Sequence, residues 1–208
     1  MNRNEFRAQW SALHNNTDTT GIVGGWLSIS FVLAQAAHRI RLTPNGLTLL
    51  GVILSGVALI APEVAVVMIP LSLAMDGIDG SLAIIQNRSS KLGSLYDSLA
   101  DRISEACWAA IFYLMGAALW AAITFWIFGA IQEYARARMI ALGVRDIGVV
   151  TPMERPMRAS ALFIALVLYL LGLPGSDIVV LATLILQAVS VLLVVRFANR
   201  SLQQPSLR

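Results

Sequence analysis

The sequence predicts an all-α integral membrane protein, with six transmembrane helices preceded by an N-terminal interfacial amphipathic helix. Three observations carry this expectation. Hydrophobic residues make up 57% of the 208 and charged residues only 13%, against about 45–50% and about 25% in a soluble globular domain. The apolar residues fall in long runs divided by short polar or Pro/Gly breaks, and six spans of about 20–25 residues would use most of the chain. The basic residues gather in alternate connections, as the positive-inside bias requires of a multi-pass protein.

The elements follow in order. The opening MNRNEFRAQW lacks the apolar core of a secretory signal, so insertion through the protein's own spans is expected. Trp26, Ile29, Leu33, Ala37 and Ile40 recur at helical spacing while Ser28, Gln35, His38 and Arg39 fall elsewhere; this is the pattern of a helix lying on a membrane surface. Leu42-Thr43-Pro44-Asn45 then turns the chain inward. Spans are expected at about 44–62, 64–87, 91–115, 118–141, 158–172 and 176–196, with the longest connection over 142–157. The predicted organisation is an N-terminal segment over 1–43, a six-helix domain over 44–200 and a tail over 201–208.

The basic residues test this layout. Arg3, Arg7, Arg39 and Arg41 precede the first span, and Arg88 and Lys91 join the second to the third. Arg102 lies inside the third span. Arg136, Arg138, Arg145, Arg155 and Arg158 surround the fourth-to-fifth connection, and Arg196, Arg200 and Arg208 end the chain. Alternating spans bring all of them to or near one side, while the opposite connections carry only Glu63 and Asp177 as charges. That side, with both termini, reads as cytoplasmic. Arginines anchored at a membrane face explain the net charge of +3 without nucleic acid, which is not an expected partner. Cys107 alone excludes an internal disulfide, and one cysteine with two histidines (His14, His38) cannot compose the usual zinc set. Any metal must sit on oxygen. Trp10, Trp26, Trp108, Trp120 and Trp126 read as interfacial anchors or helix packing.

Asp76, Asp79, Asp97, Asp101 and Glu105 fall within or at the ends of predicted spans, where each charge costs roughly 2.5–3.5 kcal/mol near the bilayer centre. Asp76, Asp79, Gly80 and Ala83 share one helical face, and Gly93, Asp97, Asp101 and Glu105 advance four residues at a time along another. Arg102 is the sole basic residue well inside either helix and points about 100° away from Asp101, so it cannot neutralise them all. Convergent carboxylates without sulfur or imidazole suit a hard divalent cation, Mg²⁺ or Mn²⁺. The alternative is a buried ion-pair network or a cation pathway.

These residues also carry a resemblance. Asp76-Gly-Ile-Asp79-Gly80-Ser-Leu-Ala83, nine residues, then Gly93-Ser-Leu-Tyr-Asp97-Ser-Leu-Ala-Asp101 resembles the CDP-alcohol phosphotransferase pattern D-x2-D-G-x2-A-R-x8-G-x3-D-x3-D, with Ile84 in place of the arginine. Leu42-Thr43-Pro44-Asn45-Gly-Leu-Thr48 is similar to the family's lead-in to its first span. Tyr134-Ala-Arg136-Ala-Arg138, Gly143-Val-Arg145 and Glu154-Arg155-Pro156-Met-Arg158 are similar to the phosphatidylinositol-phosphate synthases of actinobacteria and archaea. The resemblance implies two divalent ions on Asp76, Asp79, Asp97 and Asp101, with Asp101 as catalytic base, and a CDP-lipid site that includes Asn45, Thr48, Gly80, Ala83 and Gly93. It places the acceptor phosphate on Arg136, Arg158 and Arg196, and it implies a homodimer.

The resulting expectation is transfer of a phosphatidyl group from CDP-diacylglycerol to a phosphorylated polyol, inositol phosphate in the first place, with release of CMP. The arginines around 136–158 favour a phosphorylated over a neutral acceptor. The alternatives are glycerol phosphate or another alcohol as acceptor, and a noncatalytic paralogue or ion-conducting protein. Arg88, one turn beyond Ile84, is expected to lean back over the position the family arginine would fill.

Overall fold

The computed structural model describes residues 1–13, 17–144 and 149–203, and all regular structure among them is helical. In chain order the helices are α1 (Arg3–Leu13), α2 (Gly21–Arg39), α3 (Pro44–Val57, extended by a 3-10 turn over Ala58–Ile60), α4 (Pro62–Ile85), α5 (Lys91–Leu114), α6 (Leu119–Ala141), α7 (Arg155–Leu170) and α8 (Ser176–Gln203). The predicted surface helix is α2, and the six apolar runs are α3 to α8. A further helix, α1, has no counterpart in the apolar pattern. Arg145 and Arg208 of the basic set, His14 and the end of the predicted tail lie outside the described residues.

Two described helices, α4 and α8, are long and apolar enough to cross a membrane alone. A third span arises if α2 and α3, bent by 104° at their junction, are taken as one. The rest fall short for identifiable reasons. At 14 and 16 residues, α3 and α7 reach about 21 and 24 Å at 1.5 Å per residue, less than the roughly 30 Å hydrocarbon core. Charges interrupt α5 (Lys91, Asp97, Asp101, Arg102, Glu105) and the end of α6 (Glu133, Arg136, Arg138).

The chain divides into two compact units, one formed by Met1–Gly56 with Pro70–Ser104 and the other by Val57–Ile69 with Glu105–Arg208. In the first, Arg41 takes a left-handed backbone (φ 61°) that turns α2 into α3. Thr43 then caps α3 by accepting the Gly46 N–H at 3.1 Å, with Pro44 at the first helical position, where its missing N–H costs nothing. Ala34, Ala37, Leu47, Ile78 and Leu82 form the core that α2, α3 and α4 share. Small residues bring α3 and α4 close: the Ser72 hydroxyl donates to the Gly51 carbonyl at 2.7 Å and lies 2.8 Å from the Ser55 hydroxyl, a polar contact typical of helix pairs without a hydrophobic driving force. The chain leaves α4 through Asn87 (φ 53°), with the Arg88 N–H on the Ala83 carbonyl at 2.8 Å. Ser90 caps α5 by accepting the Gly93 N–H at 3.0 Å.

In the second unit α6 and α7 lie against α8. Gln187 of α8 donates to the Phe125 carbonyl at 3.1 Å, and the Ser190 hydroxyl accepts the Met153 N–H at 3.1 Å. Phe112 and Phe125 meet edge to face at 5.0 Å. At the centre Arg158, 0% exposed, donates Nη2 to Glu105, 1% exposed, at 2.6 Å, with Nε to the same oxygen at 3.0 Å. A Cβ on Gly129 would stand 3.1 Å from the Glu105 carboxylate and 3.5 Å from Arg158 Nε. Breaking a buried pair by removing one partner strands the other charge, so Glu105→Ala is expected to destabilise the protein by about 3–5 kcal/mol, with part of the loss recovered in Glu105→Gln/Arg158→Gln. Equilibrium unfolding in mixed micelles checks both.

Candidate active site

The first unit holds the acidic cluster. Asp76 on α4 and Asp97 and Asp101 on α5 each turn one carboxylate oxygen into a group whose members lie within 4.8 Å of one another, all partly buried. The i, i+4 step from Asp97 to Asp101 stacks two carboxylates along α5. Arg102 reaches Asp101 only at 3.9 Å. Asp79 sits one turn after Asp76, is 7% exposed and accepts a hydrogen bond from the Thr48 hydroxyl of α3. Three oxygens so close suit a hard cation with coordination positions left over.

A cavity of about 650 Å³ opens beside the cluster. Asp76, Asp79 and Asp97 line it, as do Asn45, Thr48, Gly80, Ala83, Arg88 and Gly93. These residues come from α3, α4, α5 and, for Arg88, the α4–α5 connection, and the N-terminal turns of α3 and α5 face the same space. Close approach explains Gly93, where a Cβ would stand 3.1 Å from the Ser90 hydroxyl and 3.7 Å from Asn45 Oδ1. Ile84 also lines the cavity, although it is only 4% exposed.

The second unit holds all three arginines expected for the acceptor, and Arg136 and Arg158 are both engaged. Arg136 grips Glu154 with a two-pronged fork at 2.7 and 2.6 Å and donates to the Val149 carbonyl at 3.1 Å. Arg158 holds Glu105 and donates Nη1 to the Met153 carbonyl at 2.7 Å. Glu133 stands 3.5 Å from Arg136 and 3.6 Å from Arg158. The five charges therefore alternate in one chain, Glu105–Arg158–Glu133–Arg136–Glu154. Arg196 is exposed on α8. Burial alone would raise the Glu154 pKa, but hydrogen bonds from Arg136 and from the Thr151 amide and hydroxyl hold it below the ordinary value.

A model of the CDP-alcohol phosphatidyltransferase family matches residues 41–195, three-quarters of the chain and all of α3 to α7. The chain belongs to that family. Among curated relatives, the archaetidylinositol phosphate synthase of Aeropyrum pernix is 34% identical over 152 residues, covering 70% of this chain and 77% of the relative. The phosphatidylinositol phosphate synthase of Corynebacterium glutamicum is 32% identical over 119 residues, 53% of this chain and 49% of that one. In fold, the chain is similar to the crystal structure of the Mycobacterium tuberculosis phosphatidylinositol phosphate synthase with CDP-DAG bound, at TM-score 0.72 and 18% identity over 84% of this chain and 95% of the other.

For a CDP-alcohol phosphatidyltransferase, the cavity has unexpected walls. Trp10 and Leu13 of α1, Trp26 of α2 and Lys91 of α5 line it as well. Lys91 carried only a topological signal in the sequence, and Trp10 and Trp26 read as membrane anchors because nothing local ties them to the motif.

Two outcomes are expected. Thr48→Val keeps the side-chain shape but removes the side-chain donor of the buried Asp79 carboxylate, which should cost about 1–3 kcal/mol, whereas Thr48→Ser should be nearly neutral; thermal unfolding of the metal-free protein checks this. Because the folded pKa of Glu154 lies below its ordinary 4.5, its ionised form stabilises the fold above about pH 4.5, and this contribution disappears as the pH falls through the lower folded value. Glu154→Gln should flatten that part of an acid-unfolding profile.

Proposed function

We propose that the protein transfers the phosphatidyl group of CDP-diacylglycerol to inositol phosphate, releasing CMP. The observation that carries this reading is the convergence of the acidic cluster with the motif residues on one cavity, to which Arg88 and Lys91 add positive charge. The inositol phosphate acceptor is supported by the two curated relatives, both named as synthases of inositol phosphate lipids.

Asp76, Asp79, Asp97 and Asp101 would hold Mg²⁺ or Mn²⁺, as two ions. The bound metal supplies positive charge that offsets the pyrophosphate and the developing charge on CMP. The residues of the chain do the rest. Asn45, Thr48, Gly80, Ala83 and Gly93 admit the CDP group close to the backbone, and Arg88 contacts its phosphates where Ile84 cannot. The acceptor hydroxyl oxygen bonds to the lipid-side phosphorus as the bond from that phosphorus to the CMP oxygen breaks, and Asp101 takes the hydroxyl proton. The acceptor-phosphate site is built from Arg136, Arg158 and Arg196, with Arg136 and Arg196 as the groups that meet the phosphate and Arg158 as a positioning residue behind them. Arg136 has the geometry for it, since its fork already grips a carboxylate; Arg158, committed to Glu105, contributes by holding Glu133 and the Met153 carbonyl in place.

The same reading extends to organisation. Residues 1–43 form a cytoplasmic segment with the surface helix, 44–200 the six-span transferase domain and 201–208 a cytoplasmic tail. The active site faces the cytoplasm, where the soluble acceptor is met, and the protein works as a homodimer among membrane lipids.

Release of CMP from CDP-diacylglycerol, followed in detergent with Mn²⁺ or Mg²⁺ and a panel of acceptors, tests the assignment. Inositol phosphate should be used far better than inositol or glycerol phosphate, and EDTA should abolish turnover. Preference for glycerol phosphate would move the protein to another acceptor class; no CMP release with any acceptor would favour a noncatalytic paralogue. Asp101→Asn should lower kcat by about 10²–10⁴-fold, the usual worth of a general base, with KM for both substrates little changed.

A further inference from the structure

The helix that sequence periodicity does not reveal is firmly docked. Phe6 of α1 is 0% exposed and meets Phe31 of α2 with ring centroids 5.2 Å apart, in a cluster completed by Leu27 and Ile84. Arg7 fastens the next turn through Nη2, on the Gly24 carbonyl at 3.0 Å and the Ser28 hydroxyl at 2.8 Å. One and two turns beyond Phe6, Trp10 and Leu13 reach the cavity lined by Asp76, Asp79 and Asp97. Trp26 joins them, lying so close over Gly77 that a Cβ there would fall 2.5 Å from its ring. The cavity lining thus divides by chemistry into carboxylates with Arg88 and Lys91, and a set of indole and aliphatic faces. A nucleoside diphosphate has the same two parts, a charged pyrophosphate and a flat base whose faces are weakly hydrated.

We infer that α1 is a wall of the nucleotide pocket and that Trp10 is a specificity-determining residue that stacks on the pyrimidine ring of the bound CDP group, positioned by its packing against the Phe6–Leu27–Phe31–Ile84 cluster. The inference rests on the proposed function, and it gives Ile84 a role. An arginine at position 84 would find no partner in the Phe6–Leu27–Phe31 cluster and would have to leave it for the carboxylates of the cavity. Isoleucine at 84 and a docked α1 therefore belong together.

The experiment uses the full-length protein in detergent with Mn²⁺. CMP binding is measured by titration calorimetry, and turnover is measured with CDP-diacylglycerol. Trp10→Ala should weaken CMP binding roughly tenfold or more, the scale of a lost base–aromatic stack, and raise the KM for CDP-lipid by a similar factor while kcat falls much less. Inorganic pyrophosphate, which lacks the base, should bind as before. Trp10→Phe should restore most of the loss, which a purely structural defect would not predict. Phe6→Ala and Ile84→Arg, which disrupt the cluster that Trp10 packs against, should each reproduce the Trp10→Ala profile. Wild-type CMP affinity in Trp10→Ala overturns the inference alone, as does an equal loss of pyrophosphate binding. Absence of CMP binding by the wild-type protein overturns the pocket assignment and the inference with it.

Discussion

Keeping carboxylates ionised among apolar helices is the constraint on which the first unit depends. Asp76 and Asp79 lie on α4, one of the helices long and apolar enough to cross a membrane, and a buried charge needs partners or a cation. The surrounding details serve that need. Thr48 donates to Asp79, and it is in reach because Thr43 and Pro44 start α3 at the right residue. Asp97 and Asp101 join Asp76 because Ser90 starts α5 two turns before Asp97. Farther along the same pair of helices, the small residues Gly51, Ser55 and Ser72 let α3 and α4 meet through hydroxyl contacts.

The second unit answers the same constraint differently. Its charges are matched by one another, in the alternating run from Glu105 to Glu154. Three carboxylates and two guanidinium groups leave one negative charge in excess when all are ionised, so the run is not a ready-made anion trap. A phosphate on Arg136 competes with Glu154 for the same fork, which makes acceptor affinity a difference between two charge-assisted contacts. Arg158 is deeper, and its bonds to Glu105 and the Met153 carbonyl make it part of the unit's frame.

What could be read from the sequence was what is local. The motif aspartates fall at i, i+3 and i, i+4 separations that place them on helical faces without any knowledge of the fold, and the turn at Leu42-Thr43-Pro44-Asn45 marks the start of α3. The extents of α3 to α8 followed from apolar runs for the same reason. Pairings far apart in sequence were not legible: Glu105 and Arg158 are separated by 53 positions, and each alone reads as a costly charge or a topological arginine. Nor was α1, whose eleven residues bury a single phenylalanine; one apolar anchor gives no periodicity to detect.

Position 84 shows how a local reading can invert a residue's meaning. Set against the motif, isoleucine is an arginine lost, and the natural inference is impaired phosphate binding. Set in the fold, the same side chain is 4% exposed, touches the Phe6 cluster and faces the cavity. Arginine cannot fill such a place without a partner, and the nearest residues of the cluster are aromatic and aliphatic. The charge that the motif would put at position 84 is instead present one turn on, at Arg88, and two residues after it lies Ser90, the cap that leads to Lys91; both cations line the same cavity. The pocket thus keeps its positive charge at the α4–α5 connection and gains an apolar seat for α1, so the departure from the motif redistributes the cavity's chemistry without emptying it.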